Sequence, residues 1–131
     1  MGRKKKSDHD GMLTPLELEV MSALWKLGEG SVHDVIAALP SEKVYAYNTV
    51  STILRLLLAK NVVSAKSEGR GHTYLPVLQK DDYEARTLDH VVTTVFDGEP
   101  ASLMKRLLDS KGLTESELAE IKGLLESRGA K

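Results

Sequence analysis

Between Ala46 and Val77 a helical pattern runs directly into a basic hairpin pattern, and that succession constrains the fold more than any other feature. Val50, Ile53, Leu54 and Leu57 fall at the i, i+3, i+4, i+7 spacing of an amphipathic helix. The opposite edge of the wheel carries Asn48, Thr52 and Arg55, flanked by Thr49 and Ser51. These are short hydrogen-bonding side chains plus one guanidinium, which suit the reading of base edges. The edge also lacks the Glu/Lys pairs that a solvated helix usually displays. Leu56 lies about 110° from the apolar centre beside Thr52, where it either covers a neighbouring helix or meets a thymine methyl. Val62–Ser67 and His72–Val77, joined by Glu68-Gly69-Arg70-Gly71, are two short β-prone runs around a glycine-containing turn, the pattern of a hairpin. A helix followed by a basic hairpin is how a winged helix-turn-helix meets DNA, helix in the major groove and wing on the backbone or in the minor groove. Lys66 and Arg70 are then the candidate phosphate contacts, a role compatible with lysine's use as protection on an exposed strand.

The net charge of −1 conceals a split along the chain. Residues 1–78 hold 10 Lys+Arg against 8 Asp+Glu, whereas residues 79–131 hold 8 against 11. Within 43–78 there are 5 basic residues (Lys43, Arg55, Lys60, Lys66, Arg70) and a single acid, Glu68. The positive field is therefore local to the helix–hairpin unit, and the acidic second half serves another purpose.

The remaining elements can be placed by their caps and stripes. Residues 1–11 are polar and without periodicity, the pattern of a disordered basic arm, with Arg3-Lys4-Lys5-Lys6 either a solvated tail or an electrostatic tether to DNA. Thr14-Pro15-Leu16-Glu17 is a capping box with proline at N1, and Leu13 and Leu18 are placed as a hydrophobic staple. Residues 16, 20, 24 and 27, with Met21 and Trp25, form its apolar stripe, and Gly28 is the C-cap. Ser31 opens a shorter helix that points Val35, Ile36 and Leu39 inward and ends at Pro40. The third helix spans about 46–60, with Asn61 just beyond its end. Tyr74 and Pro76 are assigned to packing beneath the wing, and Trp25 to the core. Past Lys80, the stripe Leu88, Val91, Val92, Val95, Phe96 is broken by Asp97-Gly98-Glu99-Pro100. Leu103, Met104, Leu107 and Leu108 mark a shorter helix, and a second capping box at Thr114–Glu117 opens the last one. About 50 residues of helix with apolar faces this wide cannot bury themselves well. The simplest partner is the same segment of a second chain, with Leu88, Val92, Val95 and Leu107 at or supporting the dimer contact.

Several classes of chemistry lack their residues. The absence of cysteine removes disulfides, thiolate metal sites and cysteine nucleophiles, and fits a reducing compartment. His9, His33, His72 and His90 show no metal-ligand spacing, so no metal site and no cofactor is expected. No nucleophile elbow, phosphate-cradling glycine loop or HExxH is present, so no enzyme is expected. Asp81-Asp82 are first-turn acids favoured by the helix dipole. No apolar run approaches the roughly 18 residues of a membrane span, and the basic N-terminus is not followed by the apolar core of a secretory signal. The expectation is a soluble cytoplasmic protein with no membrane partner.

With these residues in view, the chain resembles the penicillinase-repressor family of bacterial transcription regulators. Leu13-Thr14 with Glu17, Glu19-Val20-Met21 and Leu24-Trp25 resemble that family's first helix. Tyr47, Thr49-Val50, Thr52 and Leu54 resemble its recognition helix; Gly69-Arg70, Tyr74 and Pro76 its wing; and Phe96-Asp97-Gly98 the end of its first dimerisation helix. The resemblance implies a homodimeric repressor on a dyad operator of the TACA…TGTA kind. Contacts would be carried by Tyr47, Thr49 and Thr52, with Asn48, Ser51 and Arg55 at variable positions that tune operator preference. There are departures. The family's usual recognition-helix Arg falls on Leu56, and its usual Gly after Lys60 is Asn61. The Asn-Phe bond cut by the sensor protease of its antibiotic-responsive members falls on Arg106-Leu107, and the cysteine-rich tail of its copper-responsive branch is absent.

The sequence thus predicts a mainly α-helical protein: a winged helix-turn-helix DNA-binding domain with a small β-hairpin wing over 12–78, and a three-helix dimerisation domain over 79–131. The expected function is transcriptional repression as a homodimer on double-stranded operator DNA. Two alternatives stand beside it: a regulator gated by a small effector, and a winged helix used for protein–protein assembly without DNA.

Overall fold

The computed structural model describes residues 12–40, 44–110 and 112–129. The arm expected over 1–11 and Lys43 lie outside the described residues. In chain order the elements are α1 (Pro15–Leu27), α2 (Val32–Ala38), α3 (Tyr47–Ala59), β1 (Val63–Glu68), β2 (Gly71–Pro76), α4 (Lys80–Thr94), α5 (Pro100–Asp109) and α6 (Glu115–Gly129). The protein is mainly helical, and its first part is a winged helix.

Side-chain caps fix where α1 and α2 begin. The Thr14 hydroxyl accepts from Glu17 N–H at 3.1 Å, while the Thr14 N–H donates to Glu17 Oε1 at 2.9 Å. Ser31 and Asp34 make the same reciprocal pair at 3.1 and 3.0 Å. Each box satisfies amides that the helix itself leaves open. Gly28 ends α1 with φ +88°, and Asn61 turns the chain out of α3 with φ +65°, the left-handed geometry common after a helix.

The core of the winged helix forms where three stripes meet. Val20, Met21 and Leu24 of α1, Val35 of α2, and Val50, Leu54 and Leu57 of α3 are fully buried, joined by Val63 and Tyr74 of the hairpin. The stripe expected on α1 differs at its ends. Leu27 is exposed and Leu16 only half-buried, whereas Glu17 sits inside. Leu27 is the last residue of its helix and lies beside Gly30 without being buried, so periodicity alone overextends the buried face.

The hairpin pairs antiparallel with Val63 opposite Pro76, Ala65 opposite Tyr74, Ser67 opposite His72 and Glu68 opposite Gly71. The turn proper is therefore Gly69-Arg70, and Gly69 supplies φ +62°, the positive φ that two-residue hairpin turns require. A third piece of backbone joins the hairpin. Gly30 N–H donates to Tyr74 O at 3.0 Å, and Tyr74 N–H donates to Gly30 O at 2.8 Å. The backbone there runs so close to α2 that a Cβ on Gly30 would stand 3.0 Å from Asp34 Cβ.

The chain divides into two compact units, with the division between Thr87 and Leu88. The composition shift suggested 78/79, nine residues earlier. The physical reason is Tyr83: its ring lies 6.0 Å from that of Trp25, and its hydroxyl accepts from Leu13 N–H at 3.2 Å. Trp25, expected in the core, is half-buried and donates its indole N–H to Leu78 O at 2.9 Å. The first turns of α4 thus belong with the winged helix. In the second unit the three expected helices form, with the break at Asp97-Gly98 and a capping box at Thr114–Glu117. From Leu88 onward no described residue is buried.

Candidate nucleic-acid interface

Burial of Val50, Leu54 and Leu57 decides which face of α3 is left to solvent. That face carries Asn48, Thr49, Thr52, Arg55 and Leu56, all exposed, with Tyr47 half-exposed at its start and Ser51 half-buried at its flank. Of the two readings open for Leu56, burial against a neighbouring helix is not what the structure has: the side chain is 49% exposed next to Thr52. The helix starts without a side-chain cap, since Ala46 occupies that position, and no acid lies in its first turn. Its positive end is therefore uncompensated, which favours an approaching anion.

The wing sets its two candidate cations in different surroundings. Strand alternation puts His72 and Tyr74 on the face that reaches the core, and Lys66 with its partner Thr73 on the other. Lys66 lies 3.5 Å from Glu29 and 3.7 Å from Glu68, so its charge is partly answered within the protein. Arg70, in the turn, makes no ion pair among the described residues. It lines a cleft of about 370 Å³ together with Ser31, Val32, His33, Tyr47, Ser51, Arg55, Gly71, His72 and Tyr74. The structure therefore brings Tyr47, Ser51, Arg55 and Arg70 together around one cleft. Asn48, Thr49 and Thr52 lie on the neighbouring helix face, and Lys66 stands apart.

Three residues have surroundings that the sequence did not disclose. His33, on α2, packs its ring 4.9 Å from the Tyr47 ring, and His72 stands 6.3 Å from the buried Tyr74 ring. Each is a histidine without metal spacing, and only the pairing of elements discloses their common cleft. The third is Glu17, 4% exposed, whose Oε2 accepts from Lys60 Nζ at 2.7 Å. Burial alone would raise its pKa. The hydrogen bonds from Lys60 and the Thr14 N–H, together with the Lys60 charge, outweigh that and hold the carboxyl below its ordinary value. The ion pair ties the start of α1 to the residue that ends α3. A signal for it existed, since Glu17 falls three and four residues before Val20 and Met21 on the buried stripe. Asp34 is likewise lowered, by the Ser31 N–H first and then by the Ser31 hydroxyl.

Of the four residues expected at a dimer contact, Leu88 and Val95 are 52% and 65% exposed, Leu107 is exposed and Val92 half-buried. Among the described residues no cluster of His, Asp or Glu is placed to hold a metal ion. Nor, among the described residues, is any helix long and apolar enough to cross a membrane.

A family model described as Penicillinase repressor matches residues 13–127. The chain is similar to the penicillinase repressor of Bacillus licheniformis, 26% identical over 114 residues that cover 87% of this chain and 89% of that one. It is also similar to the methicillin resistance regulatory protein MecI of Staphylococcus aureus (strain N315), 21% identical over 116 residues, 88% of this chain and 94% of the other. Among solved structures, the Bacillus licheniformis BlaI monomeric form in complex with the blaP half-operator is similar at 30% identity. That match covers 55% of this chain and 88% of that one, with a TM-score of 0.47.

Proposed function

The chain belongs to the penicillinase repressor family, a family of DNA-binding transcriptional repressors, and from that premise we propose that it acts as a homodimer on a dyad-symmetric operator. One winged helix would take each half-site. The observation that carries this reading is the solvent face of α3, polar and free of carboxylates, beside a turn that presents Arg70. Asn48, Thr49 and Thr52 would meet base edges in the major groove, Leu56 a thymine methyl, and Arg55 and Arg70 the phosphate backbone beside the cleft they share. Lys66 contributes less, because Glu29 and Glu68 already face it.

Pairing of two chains is supported by the second unit. A 44-residue segment with no buried side chain among its described residues, and with Leu88 and Val95 more than half exposed, has its apolar faces still to cover. Its acidic balance suits self-association better than contact with DNA. The protein would work beside the chromosome in a bacterial cytoplasm by occupying promoter DNA, with no catalytic step.

The test is retention of genomic promoter fragments by the full chain, followed by footprinting and sedimentation. The expected result is a protected site with two inverted half-sites and two chains bound per site. Retention no stronger than that of bulk competitor DNA at physiological salt would overturn the operator reading. A single protected half-site held by a chain that sediments as a monomer would overturn the dimer.

A further inference from the structure

The cleft between α2, α3 and the wing gathers more positive and hydrogen-bond-donating groups than a surface for base reading needs. Its wall holds His33, Tyr47, Ser51, Arg55, Arg70 and His72, and no carboxylate. The acids around it are already engaged. Asp34, adjacent to His33 on α2, accepts from Ser31 N–H and also interacts electrostatically with His33. Glu68 on β1 accepts from the Thr73 hydroxyl at 3.2 Å and faces Lys66, as does Glu29 before the Gly30 bridge. Neither Arg55 on α3 nor Arg70 in the turn has an ion pair among the described residues. Two guanidiniums present planar forks of N–H donors, the geometry that fits phosphate oxygens. Tyr47 and Ser51 add hydroxyl donors. The imidazoles of His33 and His72 add ring N–H donors, in either charge state.

We propose that this cleft is a phosphate seat and that filling it draws protons onto His33 and His72. The proposal rests on the DNA-binding reading, because the cleft adjoins the face of α3 that reads the operator. A phosphodiester of the bound strand is then the resident ligand. A free polyphosphate anion shares its chemistry and would compete for the same donors. His33 thereby becomes a DNA-contacting residue from α2, held in place by its ring contact with Tyr47. Proton linkage follows directly: a ligand that favours the protonated imidazoles binds more tightly where those protons are available.

The experiment uses the full chain and a short duplex of arbitrary sequence, with affinity followed by fluorescence anisotropy from pH 5.5 to 8. Histidine ring resonances of the wild type are recorded in parallel by NMR, first with the duplex and then with inorganic pyrophosphate in its place. Duplex affinity of the wild type should fall about three- to tenfold from pH 6 to 8 at fixed salt. The double variant His33→Gln, His72→Gln should show a flat profile. The His33 and His72 signals should move when the duplex is added. If pyrophosphate moves them too, the seat accepts free phosphate anions; if only the duplex does, it is specific to the strand. Unmoved histidine signals on a saturating duplex, or a wild-type pH profile in the double variant, would overturn the seat and leave DNA binding intact. A wild type that fails to bind the duplex at all would instead overturn the DNA-binding reading beneath it.

Discussion

Substituting Lys60→Met would strand Glu17 in the core. The Glu17 side chain is 6% exposed and its Oε2 stands 2.7 Å from Lys60 Nζ, whose own side chain is 40% exposed. Breaking a fully buried pair costs about 3–5 kcal/mol, whereas an exposed pair is worth about 0–1 kcal/mol. With one partner buried and the other reached by water, the expected loss at pH 7 is about 1–2 kcal/mol. At a urea m-value of about 1 kcal/mol/M for a domain of this size, the midpoint falls by about 1–2 M. The pH dependence separates an ion pair from simple packing. The Glu17 carboxyl titrates below its ordinary 4.5 in the folded protein. The stability it contributes is thus present above 4.5 and lost as pH falls through the depressed folded value. In the Met variant burial is opposed only by Thr14, so the carboxyl shifts upward relative to wild type and the deficit shrinks as pH falls from the variant's folded value through the depressed wild-type one. Urea titrations at pH 7 and pH 3.5, followed by the fluorescence of Trp25, report on the winged helix alone, since the chain has one tryptophan. A deficit that is the same at both pH values would refute the electrostatic account, as would an unchanged midpoint at pH 7.

Thr52→Ala should weaken binding to the preferred operator by about 1 kcal/mol and leave non-specific DNA nearly unaffected, as measured by competition gel shift. Arg70→Ala should lower the salt slope of binding by about 1; Lys66→Ala should lower it by clearly less, since Glu29 and Glu68 already face that ammonium. Truncation after Thr87 should leave a folded, monomeric winged helix with weaker operator binding, because two half-sites are no longer tied together. Truncation after Leu78 removes Tyr83 from Trp25 and should be less stable than the longer form by about 2–4 kcal/mol; sedimentation and urea midpoints check both. A sensor protease selective for Asn-Phe should leave the chain intact. Arg106-Leu107 presents an unmatched guanidinium and lies inside α5, so mass spectrometry after induction should find no fragment ending at Arg106.

The local elements were legible because their signals are local. The capping boxes at Thr14–Glu17 and Thr114–Glu117, the α3 stripe, the Asn61 turn and the hairpin are written in stretches of a few residues, and the strands came within one residue of their ends. What the sequence concealed was long-range pairing. Nothing near Glu17 announces Lys60, 43 positions away. Nothing near Gly30 announces the backbone pair with Tyr74, and the composition change at 78/79 hid the docking of Tyr83 on Trp25. The same limit applies to the cleft: the solvent face of α3 was readable from its wheel, whereas His33 joins the cleft beside it only because α2 packs against α3. Lys66 and Arg70 looked equivalent in the sequence, and only strand alternation and the position of Glu29 separate them.

The lack of any buried side chain among the described residues from Leu88 onward has a consequence for how much of this protein a cell can hold in working form. On the proposed pairing, the order of α4's second half, α5 and α6 derives from the partner chain. Their stability then follows mass action instead of being a fixed property of the monomer. Dilution below the dissociation constant would loosen these helices and expose Leu88 and Val95 to proteases while the winged helix, with its own core, stays folded. Such a regulator has a threshold in copy number: above it, chains protect one another, and below it, each is cleared faster than it can find a mate. Repression would then end sharply as the protein is diluted by growth, without any inducer having to touch the DNA-binding face.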